Sequence, residues 1–383
     1  MAWPTRTFPD DVPTLTRGDV VLRPHRADDD DAIVRQCTDP ASVRWTTVPL
    51  GYDREMALGW VADGVGEGWR DGTEHLFAIE STHPDGVRRF SGSLSLRDEG
   101  DARAEVAFGL HPDARGRGVM ATALDLLLDH GFDALGLRTV VWWAEAGNVA
   151  SRRVAWRSGF TFAGTMRRWL DHRGTHVDAW VATLHRDDPR RPVTAWLEAG
   201  DLTTARFRLR ELRETDADRV VEGCSDPRTQ HWLNFLPAPF TRADAVAYVH
   251  RTQVERAQGT AVVWAVTARD DDRLLGTVGV PRLGRHSAEI GYWTHPDARG
   301  TGLSTEVVDA VVTWALRPVE ADGLGVRRVH VKVADGNTAS RRVAEANGLT
   351  LYGRETSSET MRDGTVVDML LLERVLTPPG GTA

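Results

Sequence analysis

Cysteine is nearly absent from this chain of 383 residues, which has only Cys37 and Cys224. Two thiols exclude a disulfide framework, and both lie in a Cys-x-Asp-Pro context, so one repeated packing niche is expected rather than a bridge. Excess positive charge is missing too. The formal net charge of −8 excludes a general nucleic-acid binder. No apolar run is long enough to cross a bilayer, and the first residues lack the basic, apolar, small-residue order of an export signal. A cytoplasmic location without a membrane partner is the expectation. His172, His176 and His185 have no acid or cysteine at ligand spacing, so no metal is expected. The Walker lysine is also lacking, as are the strand and acidic partner of a dinucleotide fingerprint.

What the chain does contain, it contains twice. His111–Leu124 reads HPDARGRGVMATAL and His295–Val308 reads HPDARGTGLSTEVV. Cys224 follows Cys37 by 187 residues, His295 follows His111 by 184 and Asn337 follows Asn148 by 189. A repeat of this length is a domain, not a solenoid unit. Domains over residues 1–190 and 200–383 are expected, joined through Asp187–Gly200, which opens DDPRRP and continues into an expected short helix. Five extra residues in the second copy fall in Arg317–Gly325.

Periodicity predicts the order β-α-α-β-β-β-α-β-α-β-β in each half, an α/β fold with a mixed sheet. Met1–Arg17 and the PPGGTA tail read as loose ends. Asp28–Asp31 reads as the solvated start of a helix, acids there suiting the helix dipole. Asp39-Pro40 breaks that helix. Thr241 and Asp244 form an acidic variant of the capping box.

In each repeat an Arg leads a glycine loop into a helix: Arg115, Gly116, Arg117, Gly118, Val119 and Arg299, Gly300, Thr301, Gly302, Leu303, Ser304. Glycine lets successive backbone N–H groups turn towards one point, and the helix N-terminus adds its dipole, a geometry suited to a pyrophosphate. These residues resemble the Arg/Gln-x-x-Gly-x-Gly/Ala motif of the GNAT superfamily of N-acetyltransferases. Three further stretches resemble its RimJ/RimL-like branch. They are Leu22-Arg23-Pro24 with Leu209-Arg210-Glu211, the strand Ala288–Trp293, and Asn-x-x-Ser-Arg-Arg-Val at Asn148–Val154 and Asn337–Val343.

The resemblance implies two tandem GNAT-like domains, each a mixed, splayed sheet flanked by helices. It implies acetyl-CoA as co-substrate, held by the two loops with Asn148 and Asn337. The acceptor it implies is a primary amine, either a peptide or protein N-terminus or a small molecule, acetylated directly in a ternary complex. Glu289, with Glu105 as its twin, is the expected base, since a strand carboxylate beside a cleft is partly desolvated. A plain ion pair with an arginine is the competing reading. Ser340 and Ser151 are expected near the thioester sulfur. The helical position where many relatives carry a tyrosine acid reads Ala155 and Ala344 here. Trp45 and Trp232, matched across the repeat, are expected on the acceptor side. Met120, where the motif prefers a small residue, raises an alternative in which only the C-terminal domain catalyses and the N-terminal one is a scaffold. A non-catalytic acyl-CoA-binding protein is a further alternative, and the chain is expected to be a pseudo-dimeric monomer or a homodimer.

Overall fold

The strands of each half assemble into one eight-stranded mixed sheet in the computed structural model, which describes residues 12–376. In the first unit they are β1 (Leu15–Arg17), β2 (Val20–Arg23), β3 (Glu74–Thr82), β4 (Arg88–Asp98), β5 (Arg103–Leu110), β6 (Thr139–Glu145), β7 (Thr161–His172) and β8 (Thr175–His185). In the second they are β9 (Leu202–Thr203), β10 (Phe207–Glu211), β11 (Val262–Ala268), β12 (Gly276–Leu283), β13 (Ser287–Thr294), β14 (Arg328–Ala334), β15 (Thr350–Thr360) and β16 (Val366–Val375). The first sheet runs β1-β2-β3-β4-β5-β6-β8-β7, and the second runs β9-β10-β11-β12-β13-β14-β16-β15, the same order. The two compact units divide between Thr194 and Ala195.

Every neighbouring pair is antiparallel except β5 with β6 and β13 with β14, which are parallel. A parallel pair needs a crossover, and the apolar helices Val119–Asp129 and Leu303–Leu316 supply it. In unit two, Val307, Val308, Val311 and Val312 of that helix pack with Ala288 and Ile290 of β13 and Val329 and Val331 of β14. Val220, Cys224, Ala245 and Val249 form a separate cluster with Ala265 of β11.

The parallel ladders are short. β5 pairs with β6 only over Arg103–Val106 against Thr139–Trp142, and β13 with β14 only over Ser287–Glu289 against Arg328–His330. Beyond those residues both strands continue without a ladder between them, so each sheet is splayed. Backbone groups that would have paired now face a cleft.

Four expectations change. Leu15–Arg17 is a strand paired with β2, while residues 1–11 and the PPGGTA tail lie outside the described residues. The linker has no helix: its carbonyls find side-chain donors instead, Arg256 donating to Leu197 O (2.9 Å) and the Trp264 indole to Gly200 O (3.1 Å). The break at Asp39-Pro40 restarts at once as a short helix, Pro40–Trp45, capped by Asp39, and Asp226 caps Pro227–Trp232 likewise. The run Asp28–Asp31 is only partly solvated, because Asp29 and Asp30 are buried.

Asp29 is buried because it meets a buried arginine. Arg23 on β2 donates two hydrogen bonds of 2.8 Å to Asp29 and one of 2.7 Å to Glu80. Arg210 on β10 repeats this with Asp216 (two of 2.8 Å) and Asp272 (2.6 Å). Arg210 is 2% and Asp216 4% exposed, so the pair is out of water and fully hydrogen-bonded. Removing one partner strands the other's charge. Asp216→Ala is therefore expected to destabilise unit two by about 3–5 kcal/mol in denaturant unfolding. A loss below about 1 kcal/mol, the range of an exposed pair, would show that the pair does not hold β10 to the first helix of unit two.

Candidate active site

Two left-handed glycines shape each loop, Gly116 and Gly118 at φ +73° and +76°, and Gly300 and Gly302 at +77° and +80°. A Cβ on Gly116, Gly118 or Gly300 would meet nothing within 4 Å, so the space over each loop is open. Gly118 and Gly302 are the capping residues of the crossover helices, and neither helix has a side-chain cap. The first N–H groups of each helix, at its positive dipole end, are thus without a side-chain cap.

The motif arginines do not point into that opening. Arg115 donates to Asp39 (2.7 Å) and Ser42 Oγ (3.2 Å), and Arg299 to Asp226 (2.5 Å) and Thr229 Oγ1 (2.8 Å). Their acceptors Asp39 and Asp226 are the caps of the short helices. Burial alone would raise both carboxyls, but the arginine and backbone hydrogen bonds outweigh it and hold them below the ordinary value. A second pair runs the other way: Arg35 and Arg219 of the first helix of each unit donate to Asp113 (3.0 Å) and Asp297 (2.9 Å) of the His-Pro-Asp turns. The loop is left to present backbone. Arg117 donates to Thr82 O (2.7 Å), Thr301 Oγ1 donates to Ala298 O (2.8 Å), and Ser304 shares a hydrogen bond of 2.6 Å with Thr294. Val119 and Leu303 open the helices with buried side chains. Met120 is only 4% exposed and does not stand in the space over its loop.

Asn148 and Asn337 follow β6 and β14 and cap the next helices, accepting from Ser151 N (3.1 Å) and Ser340 N (3.2 Å). The serines thereby sit in the first helical turn, next to the parted strands. Each has a different partner. The Trp142 indole of β6 donates to Ser151 Oγ (3.0 Å), whereas the Tyr292 hydroxyl of β13 lies 2.9 Å from Ser340 Oγ and 3.0 Å from Ser340 O. Burial pushes the Tyr292 phenol up to about 12, the hydrogen bond with Ser340 opposing it. Sequence reasoning looked for a phenol on the helix, found alanine, and missed the one that the strand Ala288–Trp293 brings from the side.

Glu289 is the last residue of the β13–β14 ladder, and Glu105 the last but one of the β5–β6 ladder. Arg282 donates to Glu289 (3.0 Å), with His330 Nε2 at 3.9 Å, and Arg97 donates to Glu105 (3.1 Å). Both carboxylates are ion-paired at the mouth of the splay. Burial raises the Glu105 carboxyl above its ordinary value, against the pull of Arg97. Trp232 reaches the turn before Asn337, its ring edge 3.7 Å from where a Cβ on Gly336 would lie. Trp45 lies under the Arg44 guanidinium at 4.0 Å, and Arg44 pairs with Glu145 at the end of β6 (2.8 Å). Both tryptophans therefore border the end of the parted strands.

The family model described as Acetyltransferase (GNAT) domain matches the chain twice, over residues 19–161 and 206–350. The chain belongs to the GNAT family. It is a tandem GNAT acyltransferase, and its relatives fit one half at a time. It is similar to the uncharacterized N-acetyltransferase YoaA of Bacillus subtilis (strain 168), 26% identical over 154 residues, or 40% of this chain and 84% of that one. It is similar to the uncharacterized N-acetyltransferase p20 of Bacillus licheniformis, 23% identical over 171 residues, or 45% of this chain and 95% of that one. Among solved structures it is similar to Mycobacterium smegmatis RimJ in complex with CoA-disulfide, at 24% identity and a TM-score of 0.40, over 47% of this chain and 90% of that one.

The link between loop and helix cap is open to a direct test. Asp226→Ala loses both the cap and the partner of Arg299, and should cost about 1–2 kcal/mol of unit-two stability in denaturant unfolding, the usual worth of such a cap. Asp226→Asn still caps and should lose less. Equal losses for the two variants would mean that the ion pair, not the cap, does the holding.

Proposed function

We propose that this protein is an acetyl-CoA-dependent N-acetyltransferase that acts on a primary amine, a peptide or protein N-terminus or a small molecule, by direct transfer in a ternary complex. The observation that carries the reading is that an uncapped glycine loop, a serine and an ion-paired carboxylate converge on the parted strands of each unit. Membership of the family and the similarity to N-acetyltransferases support it.

The loops fit a pyrophosphate: the positions of Gly116, Gly118 and Gly300 are open, Arg115 and Arg299 are occupied elsewhere, and Arg206 lies beside Gly302 and donates to Thr301 O (2.9 Å). The N–H groups of Gly300, Thr301, Gly302, Leu303 and Ser304 would hold it in unit two, and those of Gly116, Arg117, Gly118 and Val119 in unit one. Acetyl-CoA supplies an activated acetyl group as a thioester. Asn337 and Asn148 border the path from loop to cleft. Glu289 takes a proton from the incoming ammonium, directly or through water, so that the neutral amine can attack, and Glu105 does so in unit one. Trp232 and Trp45 flank the incoming amine. With Met120 buried, both units are read as binding acetyl-CoA; turnover by unit two alone is the second reading, favoured by the phenol that only unit two has beside its serine.

Release of the CoA thiol against a panel of primary amines and N-terminal peptides tests the reading. In a Glu105→Gln background, which silences unit one, Glu289→Gln should lower the rate roughly 10²–10⁴-fold and leave acetyl-CoA affinity little changed. Higher pH should restore part of the loss, because more of the amine is then neutral. Gly302→Ala, which puts a Cβ at φ +80°, should instead weaken acetyl-CoA binding about tenfold. Because the Glu105 carboxyl is raised, unit one's rate should fall as pH drops through that raised value, and Glu105→Gln should abolish this limb. An unchanged rate for Glu289→Gln in the Glu105→Gln background at neutral pH would remove Glu289 as the base. Tight acetyl-CoA binding with no thiol release for any acceptor would favour an acyl-CoA-binding protein without catalysis.

A further inference from the structure

The two serines are held in different ways by the two units. Aligned strand by strand, Tyr292 of β13 corresponds to Phe108 of β5, and Trp142 of β6 corresponds to Val331 of β14. Unit two reaches its serine with a phenol from one strand of the parted pair. Unit one reaches its serine with an indole from the other strand. Phe108 and Val331, at the vacated positions, can make no hydrogen bond. If these positions served packing alone, neither would need a polar atom. Instead each unit brings one polar group to the serine hydroxyl, an indole that donates to Ser151 Oγ and a phenol within hydrogen-bond distance of both Ser340 Oγ and Ser340 O, from the two parted strands.

Resting on the function proposed above, we infer that Tyr292 is a positioning residue that holds Ser340 as hydrogen-bond donor to the sulfur leaving during transfer, and that Trp142 does the same for Ser151. A serine hydroxyl has one hydrogen, which in a first helical turn readily bonds back to the backbone. An N–H or O–H that donates into the serine oxygen occupies its lone pair and leaves that hydrogen free for another acceptor. The indole can only donate, so Ser151 is held permanently in this state. The phenol has one hydrogen and two acceptors in reach, Ser340 O at 3.0 Å and Ser340 Oγ at 2.9 Å. It can turn to Oγ as Ser340 turns to the cleft.

Neither donor gives up its proton. The phenol is pushed up to about 12 by burial, and an indole N–H does not titrate in water's range. The step therefore balances without an acid. Glu289 takes one proton from the ammonium, and the neutral amine nitrogen then forms its bond to the acetyl carbon and sheds its second proton to water. The C–S bond breaks with its electron pair staying on sulfur, and that sulfur receives a hydrogen bond from Ser340. Such a bond to a charged acceptor is worth more than one between neutral groups.

The test uses the full chain with CoA itself as probe. Ionisation of the bound thiol is followed by thiolate absorbance across pH, and binding by calorimetry. Burial pushes Cys37 up to about 11 and Cys224 up to about 12, so the protein's own thiols stay silent in the working range. The wild-type bound thiol should titrate below free CoA. Tyr292→Phe should raise the ionisation of the unit-two thiol by about one pH unit, tenfold in its constant, the worth of one hydrogen bond to a charged group. Ser340→Ala should do the same, and the double variant should go no further. Trp142→Phe should shift the other half of the signal. In turnover, with unit one silenced by Glu105→Gln, Tyr292→Phe should lower kcat about tenfold with KM for acetyl-CoA unchanged. A bound thiol that titrates as in free CoA, or a Tyr292→Phe variant that only weakens CoA binding, would overturn the inference. So would losses for the two substitutions that multiply. CoA binding with no turnover would overturn the proposed function but leave the thiol titration to decide the inference. No CoA binding at all would overturn both.

Discussion

A pair of reciprocal arginine–aspartate links ties each glycine loop to the helices on the other side of the sheet. Arg115 and Arg299 reach from loop to helix cap, while Arg35 and Arg219 reach from helix to the His-Pro-Asp turn. The loop needs this because its own backbone is in a conformation that only glycine adopts freely, and its helix end has no side-chain cap. A seat made of backbone N–H groups has no side chains of its own to keep it in shape. Arg115 and Arg299 instead spend their hydrogen bonds on the caps of the short helices.

The same logic explains why the parallel ladders stop early. Val106 with Trp142 and Glu289 with His330 are the last rungs. Past them one strand must lead into the His-Pro-Asp turn and the other into an asparagine-capped helix, and the two exits diverge. The buried Arg23 and Arg210 clusters fix the opposite edge of each sheet to the first helix, so the divergence is taken up by the cleft and not by the core.

Much of this was legible in the residues. The duplication, the glycine loops, the asparagine caps, the mixed sheet and the family follow from spacing and motif, because they are local in sequence. What escaped depends on contacts between distant segments. Asp29 reads as a solvated acid until Arg23 on β2 is brought against it. The stretch after DDPRRP reads as a short helix until Arg256 takes the carbonyl of Leu197 and Trp264 that of Gly200. Tyr292 reads as one aromatic in a strand, and nothing nearby in sequence says that its hydroxyl meets a serine 48 residues on. Glu289 is the intermediate case. Its place in the strand was legible, but its arginine partner depends on the register with β12.

The exchange of Tyr292 and Val331 for Phe108 and Trp142 couples two strands that lie far apart in the chain. Recombination between the two copies of the repeat, the usual way duplicated segments homogenise, would move one strand without the other. A unit that received Phe in the first strand and kept Val in the second would have no donor for its serine. The reverse exchange would drive a tyrosine and a tryptophan against the same hydroxyl. The two halves of this gene are thus free to drift apart residue by residue but not free to trade single strands, and a chimera engineered from them would have to move the parted strands as a pair.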